Sequence, residues 1–118
     1  MDKLLKIAID GPAASGKGTI ARQIASELNI RHLDTGLLYR AVAVRGIANG
    51  ISLADEDACE SVAQSLEQSD MEGETLRSAE AGRAASIVAA HQRVRTALLS
   101  WQRGFAEKAP GAVIYITK

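Results

Sequence analysis

The stretch from Ile7 to Thr19, IAIDGPAASGKGT, limits the possible folds more than any other part of the chain. Leu4 to Ile9 is a short apolar, β-branched run ended by Asp-Gly-Pro, the pattern of a buried strand entering a turn. From Gly16 onward Ile20, Ile24 and Leu28 recur every four residues, which predicts a helix with that apolar face, ending near Asn29. A strand, a loop stripped of bulky side chains and a helix thus follow one another directly. That order belongs to a parallel α/β sheet, whose ligands sit beyond the carboxyl ends of its strands.

The rest of the chain fits the same class. His32-Leu33 predicts a short second strand, and Asp34-Thr35-Gly36 offers cap chemistry for a helix carrying Leu37, Ala41, Val44 and Ala48 and closing at Asn49-Gly50. A third helix is predicted from Ser52, with Ser52 and Asp55 as cap candidates and Cys59, Val62, Ala63 and Leu66 as its stripe. Residues 69–75 read as a polar connection. Ile87, Ala90, Val94, Leu98, Trp101 and Phe105 mark helical spacing, in one long helix or in two that bend near His91-Gln92. After Pro110-Gly111, Ala112 to Thr117 reads as a buried strand. The expected fold is a parallel sheet flanked by helices, in a single domain over 1–118 whose residues 35–108 are mostly helical.

Composition excludes several function classes. With 47% apolar and 24% charged residues the chain is not of the disordered type, and its 118 residues suit one domain. The 14 basic and 14 acidic side chains cancel, so no overall field draws nucleic acid or an anionic membrane. The acidic run from Asp55 to Glu74 reads as a solvated helix face. One cysteine, Cys59, forms no intrachain disulfide and reads as a small packed residue. The apolar run behind Lys3 and Lys6 stops at Asp10, too early for a signal peptide or a membrane span. A cytoplasmic protein with no nucleic-acid or membrane partner is expected; oligomeric state is not legible.

The loop itself matches G-x-x-x-x-G-K, with Gly11, Pro12, Ala13, Ala14, Ser15, Gly16 and Lys17 followed by Gly18 and Thr19. Small residues let successive main-chain N–H groups close on an anion, and the positive end of the following helix points the same way. Lys17 adds a mobile full charge for the β- and γ-phosphates. The alternative is a chance glycine-rich turn with a surface lysine; the strand before and the helix after favour nucleotide phosphate, here ATP. Gly18 stands where a serine or threonine would hold Mg2+, and Thr19 comes one residue later, so the ion depends more on phosphates and water.

The variant GKGT, together with LDTGLLYRAVA (33–43) and AGRAASIVAAHQRVRTALL (81–99), resembles bacterial cytidylate kinases. The resemblance covers nearly the whole chain but only the N-terminal part of that family's usual length. It implies a truncated phosphate-loop kinase fold that moves the γ-phosphoryl of ATP to CMP or dCMP. An acceptor phosphate is already anionic, so such a reaction needs cations and alignment rather than a general base. By resemblance Lys17, Arg40 and Arg95 are the catalytic cations. Thr35, Tyr39, Arg40, Ser86 and Arg95 bind the acceptor, with Arg40 and Arg95 at its phosphate and Ser86 near the ring. No protein metal ligand is implied. Arg93 and Arg95 are two apart and cannot share a helix face, so at most one aims at the ligand.

Departures from the family pattern set further expectations. Where the family often carries a proline this chain has Gln92, which predicts a softer bend there and looser placement of Arg95. The family's Asp-Gly-Arg-Asp segment does not follow GAV, which runs on as GAVIYITK. Two alternatives therefore stand beside the kinase: a non-catalytic nucleotide-binding remnant, and a phosphate-loop kinase of another small acceptor such as AMP or shikimate.

Overall fold

A computed structural model describes residues 5–11, 17–107 and 111–117. Among these, β1 (Leu5–Gly11), β2 (Arg31–Asp34) and β3 (Gly111–Thr117) form a parallel sheet in the order β1-β3-β2. Five helices follow the chain between them: α1 (Lys17–Leu28), α2 (Thr35–Ala48), α3 (Glu56–Gln64), α4 (Ala79–Ala89) and α5 (Gln92–Ala106). Two short 3-10 turns, Gln68–Met71 and Glu74–Arg77, replace the predicted polar connection. The α/β class and parallel sheet expected from the sequence are present. Residues divide into two compact units, one containing those up to Gly36 and from Trp101 on, the other Leu37–Ser100.

In the sheet unit β3 is the central strand, pairing Leu5–Gly11 residue by residue and Arg31–Asp34 on its other side. Among the described residues β1 is therefore at an edge of the sheet, and the expectation of a buried strand is corrected. Lys6 and Ala8 are exposed while Ile7 and Ile9 turn inward, because α1 covers one face of that strand. Of the predicted face Ile20, Ile24 and Leu28, Ile24 alone takes part. Ala21 and Ala25 are buried against Ile7, Ile9, Ile24 and Ile30, whereas Ile20 and Leu28 are exposed. Alanines let the helix axis approach the sheet closely, which gives the small residues the contact face.

α1 ends in a Schellman motif, with Asn29 at φ 54° and Ile30 N–H reaching the Ala25 carbonyl at 3.0 Å. The same device closes α2: Gly50, at φ 75°, donates to the Ile47 carbonyl, and Ile51 donates to that of Gly46. At the C-terminal end of α5, Trp101 stacks on Phe105 with ring centroids 5.7 Å apart, and the Arg31 guanidinium lies 4.0 Å from the Phe105 centroid. Arg31 also donates to the Phe105 carbonyl, tying β2 to that helix end.

His32, beside Arg31 on β2, buries Nε2 without a hydrogen-bond partner among the described residues. Burial holds its pKa below the ordinary value, opposed by the Asp34 carboxylate and assisted by Arg22. The unfolded chain takes up this proton near pH ~6.5 while the folded chain resists it. The contribution of neutral His32 is therefore intact above that pH and lost below it. The urea midpoint is expected to fall between pH 7.5 and 5.5, and His32→Leu should shrink the fall. An equal fall in the variant would show that other groups set it.

The helical unit has its own core. Leu38, Val42, Val88, Val94, Leu98 and Cys59 are fully buried. On α2 the buried face runs through Leu38, Ala41 and Val42; of the predicted stripe Ala41 is buried, while Leu37 and Val44 are half-buried and Ala48 is exposed. On α4 it is Ala81, Ala84, Ala85 and Val88, so Ile87 and Ala90 turn outward. α3 starts at Glu56 with Asp55 as its cap, accepting from Ala58 N–H at 3.2 Å, and buries Cys59, Val62 and Ala63 as predicted. Ser52 instead bonds Ala54 N–H in the preceding turn.

Candidate functional site

At the carboxyl edge of the sheet, Gly11 pairs opposite Thr117 and Asp34 opposite Tyr115, so the ends of β1 and β2 lie on the same side. Open parallel sheets place their ligands there. Pro12, Ala13, Ala14, Ser15 and Gly16 lie outside the described residues, as does the side chain of Lys17. What is described is their frame: β1 ends at Gly11 and α1 begins at Lys17, with Thr19 exposed in its first turn. No acidic side chain occupies that turn, so nothing there offsets the positive end of the helix dipole.

The second segment at this edge is Asp34-Thr35-Gly36. Asp34 Oδ1 accepts the Gly36 N–H at 2.9 Å, the cap role its type and position foretold. Thr35, the first residue of α2, is buried, with 5% of its surface exposed.

Tyr39, Arg40, Ser86 and Arg95 fall within the helical unit. Arg40 is half-buried, and its Nη1 donates to the carbonyls of Leu76 at 2.7 Å and Ser78 at 3.1 Å. Ser78 is also the cap of α4, its Oγ accepting from Ala81 N–H at 3.0 Å. Further along the same helix, Ser86 is exposed and its Oγ donates to the Gly82 carbonyl at 3.3 Å. Tyr39 is half-buried; desolvation raises its phenol pKa, and the positive charge of Arg95 opposes that rise.

Arg95 is exposed and folds back over the joint between α4 and α5. Its Nη1 donates to the Ala89 carbonyl at 2.6 Å and its Nη2 to Gln92 Oε1 at 2.5 Å. The expectation of a soft bend and a loosely placed Arg95 is thereby corrected. Gln92 grips the arginine itself, and the joint is tied elsewhere: His91 Nε2 bonds the Leu53 carbonyl at 2.8 Å, and Glu56 accepts the Arg93 N–H at 3.2 Å. A carboxylate brought from α3 caps the start of α5.

The Arg93 side chain points away from Arg95's partners, into Asp57 and Glu60, whose carboxylates push its pKa further up. The acidic run is thus more than a solvated face. Asp55 caps α3, Asp57 and Glu60 hold Arg93, and Asp70 pairs with Arg45 at 2.9 Å. Residue-type reasoning missed the main-chain acceptors of Arg40, because the carbonyls of Leu76 and Ser78 leave no trace in side-chain identity.

The family model described as Cytidylate kinase matches residues 7–115. Over 108 residues the chain is 52% identical to the cytidylate kinase of Bradyrhizobium sp. (strain ORS 278), covering 92% of this chain and 51% of that protein. Over 114 residues it is 54% identical to the cytidylate kinase of Acidiphilium cryptum (strain JF-5), covering 97% of this chain and 53% of the relative. The cytidylate kinase of Xanthobacter autotrophicus (strain ATCC BAA-1158 / Py2) is 54% identical over 108 residues. The chain spans about half the length of these curated relatives.

Proposed function

Because the chain belongs to the cytidylate kinase family, we propose that the protein transfers the γ-phosphoryl group of ATP to CMP or dCMP, giving CDP or dCDP. The observation that carries this reading is identity of about one half to proteins of that name along almost the entire chain. In it, the 1–118 domain has two roles: the loop Gly11 to Thr19 holds the triphosphate, and the helical segment 35–108 supplies the acceptor contacts.

ATP is gripped by main-chain N–H groups between Gly11 and Thr19, by the α1 dipole and by Lys17. A Mg2+ ion bound with ATP would neutralise phosphate charge; Gly18 has no side-chain oxygen for it, while the exposed Thr19 would offer a hydroxyl in the same turn. On the acceptor side Thr35, Tyr39 and Ser86 orient CMP, and Arg40 and Arg95 neutralise its phosphate. For Arg95 this means exchanging Gln92 Oε1 for a phosphate oxygen, so that both partners of the bond are charged rather than the arginine alone. The attacking oxygen is the CMP phosphate, the bond broken is that between the γ-phosphorus and the β-γ bridging oxygen, and ADP leaves. Cation placement does the catalytic work, and no side chain has to take a proton.

ADP release in the presence of ATP and Mg2+ tests the proposal when CMP, dCMP, AMP and shikimate are supplied in turn. ADP should form with CMP and dCMP. Formation with AMP or shikimate alone would move the reading to another acceptor, and nucleotide binding without ADP in any mixture would leave a non-catalytic binder.

A further inference from the structure

Within the helical unit Gly82 is the residue nearest to explaining how Arg40 keeps its position. A Cβ at Gly82 would lie 2.9 Å from Arg40 Nη2, 3.4 Å from Cζ and 3.7 Å from Nη1. The guanidinium therefore rests on the first turns of α4 so closely that a side-chain carbon at this position would displace it. Main-chain geometry fixes the same arrangement. The Ser78 carbonyl accepts both the Gly82 N–H, at 3.1 Å, and Arg40 Nη1, at 3.1 Å, while Nη1 also reaches the Leu76 carbonyl. Nη1 is thereby saturated. Among the described residues, no hydrogen bond is made by Nη2 or Nε of Arg40.

Helix propensity gives no reason for a glycine inside α4, where alanine is the better helix former. A cation close to a helix N-terminus is electrostatically unfavourable as well. Both features make sense if the place is built for an anion. We infer that Gly82 is a positioning residue for the acceptor phosphate: its missing side chain seats the Arg40 guanidinium against α4, with Nη1 anchored on main-chain carbonyls and Nη2 and Nε left for phosphate oxygens. This deepens the proposed function and rests on it for the identity of the anion. Gly82 touches no substrate; it acts through Arg40.

Gly82→Ala separates this role from a structural one, since the clash is with the tip of a flexible side chain and the helix gains a better former. The variant should keep or raise its thermal midpoint. Isothermal titration should show CMP affinity down by roughly tenfold, the scale of one charge-assisted hydrogen bond, with cytidine and ATP affinities unchanged. Phenylglyoxal modification of Arg40, mapped by mass spectrometry, should become faster in the variant than in the wild type. CMP affinity retained, or CMP and cytidine weakened alike, with Arg40 modified at the wild-type rate, would overturn the inference. A wild-type chain that fails to bind CMP would overturn the proposed function instead, and the modification rates would then decide by themselves whether Gly82 seats Arg40.

Discussion

Lys17→Ala is expected to weaken ATP binding by roughly ten- to a hundredfold and to lower phosphoryl transfer by about a thousandfold or more. The first figure follows from one hydrogen bond to a charged group, about 1.5–3 kcal/mol. The second follows from the scale of removing a single cation that stabilises phosphoryl transfer. The asymmetry carries the physics. In the proposed mechanism main-chain N–H groups and the α1 dipole would still hold the phosphates when the ammonium is gone, so binding would survive in part, whereas charge developing on the γ-phosphoryl would lose its mobile counter-charge. Lys17→Arg should recover part of the affinity and little of the rate, because a planar fork does not follow the moving group as a point charge does. Calorimetric ATP titration together with ADP release measures both quantities. Unchanged binding and turnover in Lys17→Ala would remove the loop from the mechanism.

Leu98→Ala is expected to cost about 2–5 kcal/mol of stability, the range for removing a fully buried leucine. Leu98 is wholly buried on α5 one turn after Val94, within a helical unit whose other fully buried residues include Leu38, Val42 and Val88. For a domain of ordinary stability, about 5–15 kcal/mol, that loss is a large fraction of the total. Its neighbour is the control. Leu99 has 45% of its surface exposed, so Leu99→Ala should stay within about 0.5 kcal/mol of the wild type. Urea unfolding of the two variants measures the contrast. Equal losses would mean that α5 is rotated from the face described above.

These adjacent leucines show what the sequence can and cannot reveal. Element order was legible because the period of the apolar residues changes from strand to helix at the glycine loop and because Asp34, Asp55, Asn29 and Gly50 carry the chemistry of helix ends. The faces of three helices were not. In α1, α2 and α4 the larger aliphatic residues Ile20, Leu28, Leu37, Val44 and Ile87 suggest one stripe, while the structure buries an adjacent one rich in alanine. Two stripes one position apart have identical spacing, so periodicity does not choose between them. Close approach of backbones does, and that depends on the partner surface.

The candidate site divides in the same way. Lys17 and its glycines announce themselves, since the loop is a local motif. Tyr39, Arg40, Ser86 and Arg95 emerged through resemblance, and spacing alone said only that Arg93 and Arg95 do not share a face; the structure places Arg93 in the grip of Glu60 and Asp57. The partners of Arg40 were out of reach. Carbonyl acceptors and a missing Cβ at Gly82 depend on how α2 and α4 come together, not on any residue's own chemistry.

The central claim is that one chain holds two polyanions, a triphosphate on the glycine loop and an acceptor phosphate on the helical unit. Amide spectra of the isotope-labelled protein, titrated with ATP and then with CMP, test it residue by residue. ATP should perturb the amides of Gly11 and of Ala13 to Thr19, and CMP added to the ATP complex should perturb those around Tyr39, Arg40, Gly82, Ser86 and Arg95. CMP that displaces ATP from the glycine loop and leaves the helical unit untouched would contradict it.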